Sequence, residues 1–146
     1  MTCATKKFLE KFSESDLRRL GCIFHLYDDG EREFTSVSLW SAIHLLCNCD
    51  AVRLETVQRF LQRMRENNII NMKRTVKRWM VYELNMQNKL VADLFSKYQA
   101  VRRGEIYEQD DVDDGVCKYE LLVLRQYWDG NRIPMRLMER ILKKGV

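Results

Sequence analysis

One proline, Pro134, and six glycines are the only residues of those two types in a chain of 146. Proline removes a backbone donor and fixes φ, and glycine serves tight turns. A chain this poor in both is built from long uninterrupted elements. From Ile69 to Val101 there is neither, over 33 residues. The spacing of the apolar residues says that the elements are helices. With 46% hydrophobic and 32% charged residues, the chain is too apolar to be disordered. At this length one domain, or one domain with an extension, can bury a core unaided.

The helices can be read in order. Phe8 to Phe12 ends a short first helix. Ser13-x-x-Asp16 has the form of a capping box and opens a second, whose stripe is Leu17, Leu20, Ile23 and Phe24. Asp28-Asp29-Gly30 stops it, and residues 31–36 are a polar loop. Ser36 or Ser38 caps a third helix, with Leu39, Ala42, Ile43 and Leu46 inward and Trp40 at the margin. Asp50 is expected to cap the next, the clearest amphipathic helix of the chain, with Leu54, Val57, Phe60, Leu61 and Met64 on one side. Asn68 is expected to cap another, marked by Ile69, Met72, Val76, Trp79, Met80 and Tyr82. A break is expected near Asn85–Asn88, before Leu90, Leu94, Phe95, Tyr98 and Val101. Val116 to Tyr127 reads as helix, and Pro134 as the first position of a last one. Trp128, Met135 and Met138 belong to the core or to a partner-binding ridge.

The expected architecture is therefore all-α. Residues 5–84 form a six-helix antiparallel bundle, and residues 85–146 a helical extension with an acidic loop at 105–115.

Charge and cysteine usage set the class of function. Residues 1–78 carry 14 Lys and Arg against 10 Asp and Glu, and residues 79–146 carry 11 against 11. A net charge of +4 is not by itself that of a nucleic-acid binder, which needs a clustered basic face. No stretch has the length and hydropathy of a membrane span, and Met1 to Lys7 lacks a signal-peptide core. A cytoplasmic, or nuclear, location is expected, with Cys3, Cys22, Cys47, Cys49 and Cys117 as reduced thiols.

No catalytic constellation emerges. His25 and His44 both sit in apolar helical runs. His44 and Cys47 lie about one helical turn apart, but nothing nearby supplies an oxyanion site. Cys47-x-Cys49 lacks the second knuckle of a structural zinc site. A calcium loop starting at Asp110 would need oxygens where Val112 and Leu121 stand. No glycine-rich phosphate loop is present. The reading is a non-enzymatic protein without metal or cofactor. Its densest feature is the basic cluster Lys73-Arg74-Thr75-Val76-Lys77-Arg78.

The stretch Ser13 to Phe24, with Asp16-Leu17 and Leu20, resembles the second helix of a death effector domain. Asp28 to Glu33, Leu39 to Leu46 and Leu54 to Met64 fall where that family has its third, fourth and fifth helices. Glu66-Asn67-Asn68-Ile69 stands at the place of its Arg-x-Asp-Leu motif. The resemblance covers about residues 5–82. It implies a six-helix bundle that acts as an adaptor or regulator in apoptotic or innate immune signalling. Its partner would carry a death-fold domain or be a second copy of this chain. The partner-binding residues so implied are Asp16, Arg18, Arg19, Cys22, Arg59, Arg63, Arg65 and Glu66. The alternative is a basic helical module that binds nucleic acid or an acidic nuclear partner through Lys73, Arg74, Lys77 and Arg78.

Overall fold

The structure, a computed structural model, describes residues 4–46, 52–105 and 120–128. They are mostly helical, with one small sheet. In chain order the elements are α1 (Ala4–Lys11), α2 (Glu14–Asp28), β1 (Glu33–Phe34), α3 (Ser36–Leu46) and α4 (Leu54–Glu66). There follow β2 (Ile70–Val76), β3 (Trp79–Leu84), α5 (Lys89–Arg102) and α6 (Glu120–Trp128).

The helix ends show why the chain folds in this order. At the start of α2 the Ser13 N–H donates to Asp16 Oδ2 (3.2 Å) and the Asp16 N–H to Ser13 Oγ (3.1 Å). This is the expected capping box, and it satisfies two otherwise orphaned donors. At α3 the cap is Thr35, one residue before Ser36 and three before Ser38, the serines expected there. Its Oγ1 accepts from the Ser38 N–H (3.2 Å), and Ser38 Oγ accepts from the Thr35 N–H (2.8 Å). Arg53, extended at φ −79° and ψ 154°, precedes α4 and gives no side-chain cap; Asp50 lies outside the described residues.

The C-terminal ends of α2, α4 and α5 share one device. A residue of positive φ follows the helix, and paired backbone bonds close the last turn. Gly30 (φ 96°) and Gly104 (φ 81°) do this for α2 and α5. Asn68 (φ 61°) does it for α4, with its N–H on the Arg65 carbonyl (3.1 Å) and the Ile69 N–H on the Met64 carbonyl (2.9 Å). Asn68 thus ends a helix, where the sequence suggested that it begins one. Asparagine is among the few residues that tolerate this conformation.

The predicted sixth helix is a β-hairpin. Ile70–Val76 and Trp79–Leu84 pair antiparallel, Val76 opposite Trp79, around the two-residue turn Lys77-Arg78. Residues 31–36, expected as loop, include β1, and the sheet order is β1-β3-β2. The six-helix antiparallel bundle expected over 5–84 therefore has strands where its last helix was placed. The predicted break at 85–88 does fall between elements, but between a strand and a helix.

The chain divides into two compact units. They are split within α2 and α5. The first unit comprises Met1–Gly21 and Asp93–Val146. Its buried apolar residues include Phe8, Leu17, Leu20, Leu94, Tyr98, Val101, Leu121, Leu124 and Trp128. Trp128 is thus a core residue: its indole N–H donates to the Leu17 carbonyl (2.8 Å), and its ring meets Tyr98 edge-on at 5.6 Å. Arg125, 1% exposed, turns its guanidinium onto the carbonyls of Val101 (3.4 Å) and Glu105 (2.6 Å). A cation is favoured there, at the negative end of α5.

The second unit is Cys22–Ala92. The α4 stripe Val57, Phe60, Leu61 and Met64 is fully buried, as the sequence predicts, and α4 packs on α3 and β2. Phe34, Tyr82, Ile70 and Leu84 are buried on the sheet, with the Phe34 and Tyr82 rings 6.0 Å apart.

Gly21 gives a test of the first unit. A Cβ there would overlap the Trp128 indole. In a helix, Gly→Ala ordinarily gains about 1 kcal/mol. Here the clash falls on a ring anchored by a hydrogen bond, and overpacking costs about 1–3 kcal/mol. Gly21→Ala is therefore expected to lower the urea midpoint; an unchanged or higher midpoint would contradict this packing.

Candidate functional site

The site is the hairpin and the helix before it. Residues 53–78 hold eight Lys and Arg against two Asp and Glu, so this one segment exceeds the excess of the whole chain. All eight cations are exposed.

Two of them are tied to the sheet. Glu33 of β1 stands opposite Glu83 of β3, a like-charge pair that costs stability unless it is compensated. The β2–β3 register shifts between Met72 and Arg74, leaving Lys73 as the extra residue of a bulge. A bulge breaks strict alternation, so Lys73 and Arg74 both reach Glu33. Arg74 grips it with both Nη atoms (3.0 and 2.6 Å), across β3 and 41 positions along the chain. Lys73 Nζ lies 2.8 Å from Glu33 and 3.5 Å from Glu83. These contacts, Arg74's hydrogen bonds first and then those of Lys73, hold the Glu33 carboxyl down from 4.5 to about 2. The same contacts raise the pKa of both cations.

The hairpin's other two cations, Lys77 and Arg78, form the turn, with Lys77 at φ 56°. Around it the side chains of Met72, Val76, Trp79 and Met80 are also exposed. Between α4 and β3 lies a groove of about 670 Å³, lined by Ser36, Gln58, Gln62, Arg65, Glu66, Arg78, Trp79, Met80 and Tyr82. Arg65 Nη1 lies 4.0 Å, and Tyr82 Oη 3.6 Å, from Met80 Sδ. Burial pushes the Tyr82 hydroxyl above its ordinary value of 10, against the pull of Arg65.

The residues implied by the death-effector resemblance are placed unequally. Asp16 is 1% exposed and Cys22 6%, so neither presents a contact surface. Asp16 is occupied in the capping box and pairs with Arg19 at 3.4 Å. Arg18 lies over the Tyr127 ring, 5.4 Å from its centroid. Arg59, Arg63, Arg65 and Glu66 are exposed on α4, and only Arg65 and Glu66 of these line the groove. Sequence reasoning missed Glu33, Ser36, Gln58, Gln62, Trp79, Met80 and Tyr82 as site residues. No local motif marks them, because they converge only through the fold.

His44 is exposed, with Nδ1 2.9 Å from the Trp40 carbonyl; Cys47, Cys49 and the acidic run 108–114 lie outside the described residues. Among the described residues no three His, Cys, Asp or Glu side chains come together so as to hold a metal ion, and no helix is long and apolar enough to cross a membrane. No protein-family model, no curated protein and no solved structure matches this chain.

The clamp on Glu33 predicts a pH dependence. Its folded pKa is depressed, so its contribution is present above about 4.5 and is lost as pH falls towards 2. Glu33→Gln is expected to melt lower than the parent at neutral pH, with the gap closing as the medium is acidified through that window. Equal melting of the two proteins at neutral pH would show that the clamp adds nothing.

Proposed function

We propose that this protein binds nucleic acid through α4 and the β2–β3 hairpin, as a module of winged helix-turn-helix type. The observation that carries the reading is the concentration of charge, eight cations against two anions over 53–78, on one exposed helix and the adjoining hairpin. A patch of this kind releases counterions from a phosphate backbone, which dominates nucleic-acid affinity. The order of elements supports it too. A strand, two helices and a hairpin follow one another, with strands ordered β1-β3-β2. In helix-turn-helix proteins the second helix enters the major groove. Here that is α4, whose outward residues Gln58, Arg59, Gln62 and Arg63 have the amide and guanidinium groups that bond base edges and phosphates. Lys77 and Arg78 would lie along the backbone. This is the alternative reading of the basic cluster, enlarged to include α4.

A second reading keeps the non-enzymatic adaptor implied by the death-effector resemblance, with contact through Arg59, Arg63, Arg65 and Glu66. What favours a protein partner is the exposed apolar set Met72, Val76, Trp79 and Met80 beside those charges.

Fluorescence anisotropy on a labelled DNA duplex across a salt series separates the two. The nucleic-acid reading expects affinity to fall steeply with salt. Each phosphate contact removed should flatten the log–log slope by about 0.9, so Lys77→Ala with Arg78→Ala should flatten it by up to about 2. Absence of binding at low salt would sink it. The adaptor reading instead expects concentration-dependent self-association, abolished by Arg63→Glu or Arg65→Glu.

A further inference from the structure

We propose that the groove between α4 and β3 binds a terminal phosphate, the dianionic group of a phosphate monoester, on a floor made by the hydroxyls of Ser36 and Tyr82. The reading above leaves that floor without a ligand.

Alternation along β3 sets Met80 and Tyr82 on the face of the sheet towards α4, and Trp79 and Val81 on the other. On the α4 side several donors lack a good acceptor. Arg65 Nη1 (4.0 Å) and Tyr82 Oη (3.6 Å) both point to the Met80 sulfur, a weak acceptor. Ser36, 8% exposed, lines the same groove, and among the described residues its hydroxyl has no hydrogen-bond partner. Polar groups so deeply buried ordinarily have one. Tyr82 is 6% exposed and has only the sulfur. An acceptor in the groove would satisfy all three donors at once.

Charge selects that acceptor. Arg65 and Arg78 line the groove, and among the described residues neither pairs with a carboxylate. Glu66, the one carboxylate in the lining, accepts from the Gln62 amide (3.2 Å). Ser36 is also the first residue of α3, an 11-residue helix whose positive end favours an anion. Two guanidinium and two hydroxyl groups suit the three oxygens and near double charge of a phosphate monoester better than a carboxylate's two oxygens and single charge. The diester linkages inside a duplex backbone do not reach hydroxyls on residues more than nine-tenths buried, whereas the end of a molecule does. A space of about 670 Å³ also leaves room for the group that carries the phosphate.

The experiment is a calorimetric titration of the full chain with adenosine 5′-monophosphate and with adenosine. The monophosphate is expected to bind about tenfold more tightly, the scale of one hydrogen bond to a charged group. Ser36→Ala removes one floor oxygen and Tyr82→Phe the other, and each should weaken monophosphate binding about tenfold without affecting adenosine. Ser36→Ala leaves the α3 cap, Thr35, in place, and far-ultraviolet circular dichroism checks the fold of each variant. Arg53→Ala removes an exposed cation outside the groove and should change neither affinity. A second arm compares a duplex with and without 5′-phosphates. A preference for the phosphorylated end that Ser36→Ala erases identifies a nucleic-acid end as the source of the phosphate. Tight monophosphate binding without that preference identifies a free small molecule. Equal affinity for monophosphate and adenosine, with no preference for the phosphorylated end, overturns the proposal. So does parental monophosphate affinity in both floor variants, or a loss in Arg53→Ala equal to theirs, the mark of diffuse charge attraction. The titration needs no duplex binding, so this proposal and the nucleic-acid reading fail separately.

Discussion

The grip of Lys73 and Arg74 on Glu33 links the two edge strands of the second unit's sheet across the strand between them. β1 contributes only two residues to the sheet, and one of them sets a carboxylate opposite Glu83. Two ladder positions are a weak hold, and the facing charges weaken it further. Cations reaching over from β2 turn the repulsion into a bridge between the two edge strands, which share no backbone bonds. The arrangement also sorts the hairpin's charges by role. Lys73 and Arg74 are engaged with the sheet and fix the hairpin's root. Lys77 and Arg78, at the turn, lie outside that bridge. Four cations that look equivalent in the sequence are thus divided by a single bulged residue.

The apolar spacing of this segment imitates a helix. Ile69, Met72, Val76 and Trp79 fall three, four and three residues apart, the spacing of a helix. In the hairpin they do not form one stripe: across the bulge Met72 and Val76 come to opposite faces, and the two-residue turn sets Trp79 opposite Val76. The turn gave no warning either, since Val76-Lys77-Arg78-Trp79 lacks the Asn-Gly or Asp-Gly of such hairpins. Lys77 takes a positive φ at a cost of about 1–2 kcal/mol. What did speak for strands was residue type: Ile69, Ile70, Thr75, Val76, Trp79, Val81 and Tyr82 are β-branched or aromatic. Periodicity here points to a helix and residue type to strands, and the fold follows residue type.

The helices before residue 67 were legible because their signals are local. The Ser13–Asp16 box, the stop at Gly30 and the α4 stripe each lie within one or two turns of chain. The same locality limits the death-effector resemblance. It rests on helices and apolar spacing up to Met64, which many helical proteins share, and the segment that would have carried the sixth helix is the one that forms strands. The candidate site was half legible for a related reason. Its charge is contiguous in sequence and could be read. Its groove joins Ser36, α4 and β3, over more than forty positions, and only the fold assembles it.

What fixes the groove's shape is the junction at Asn68. The backbone leaves α4 there in a left-handed turn, and its carbonyl accepts the side-chain amides of Asn85 (2.9 Å) and Asn88 (3.0 Å). The Asn85 N–H bonds the Ile69 carbonyl (3.0 Å), and Asn88 Oδ1 accepts the Leu90 N–H (3.0 Å), capping α5. One point thus ties the end of α4, the start of β2, the end of β3 and the start of α5. The hairpin is held at its base by this knot and along its length by the Glu33 bridge, while its turn is held by neither.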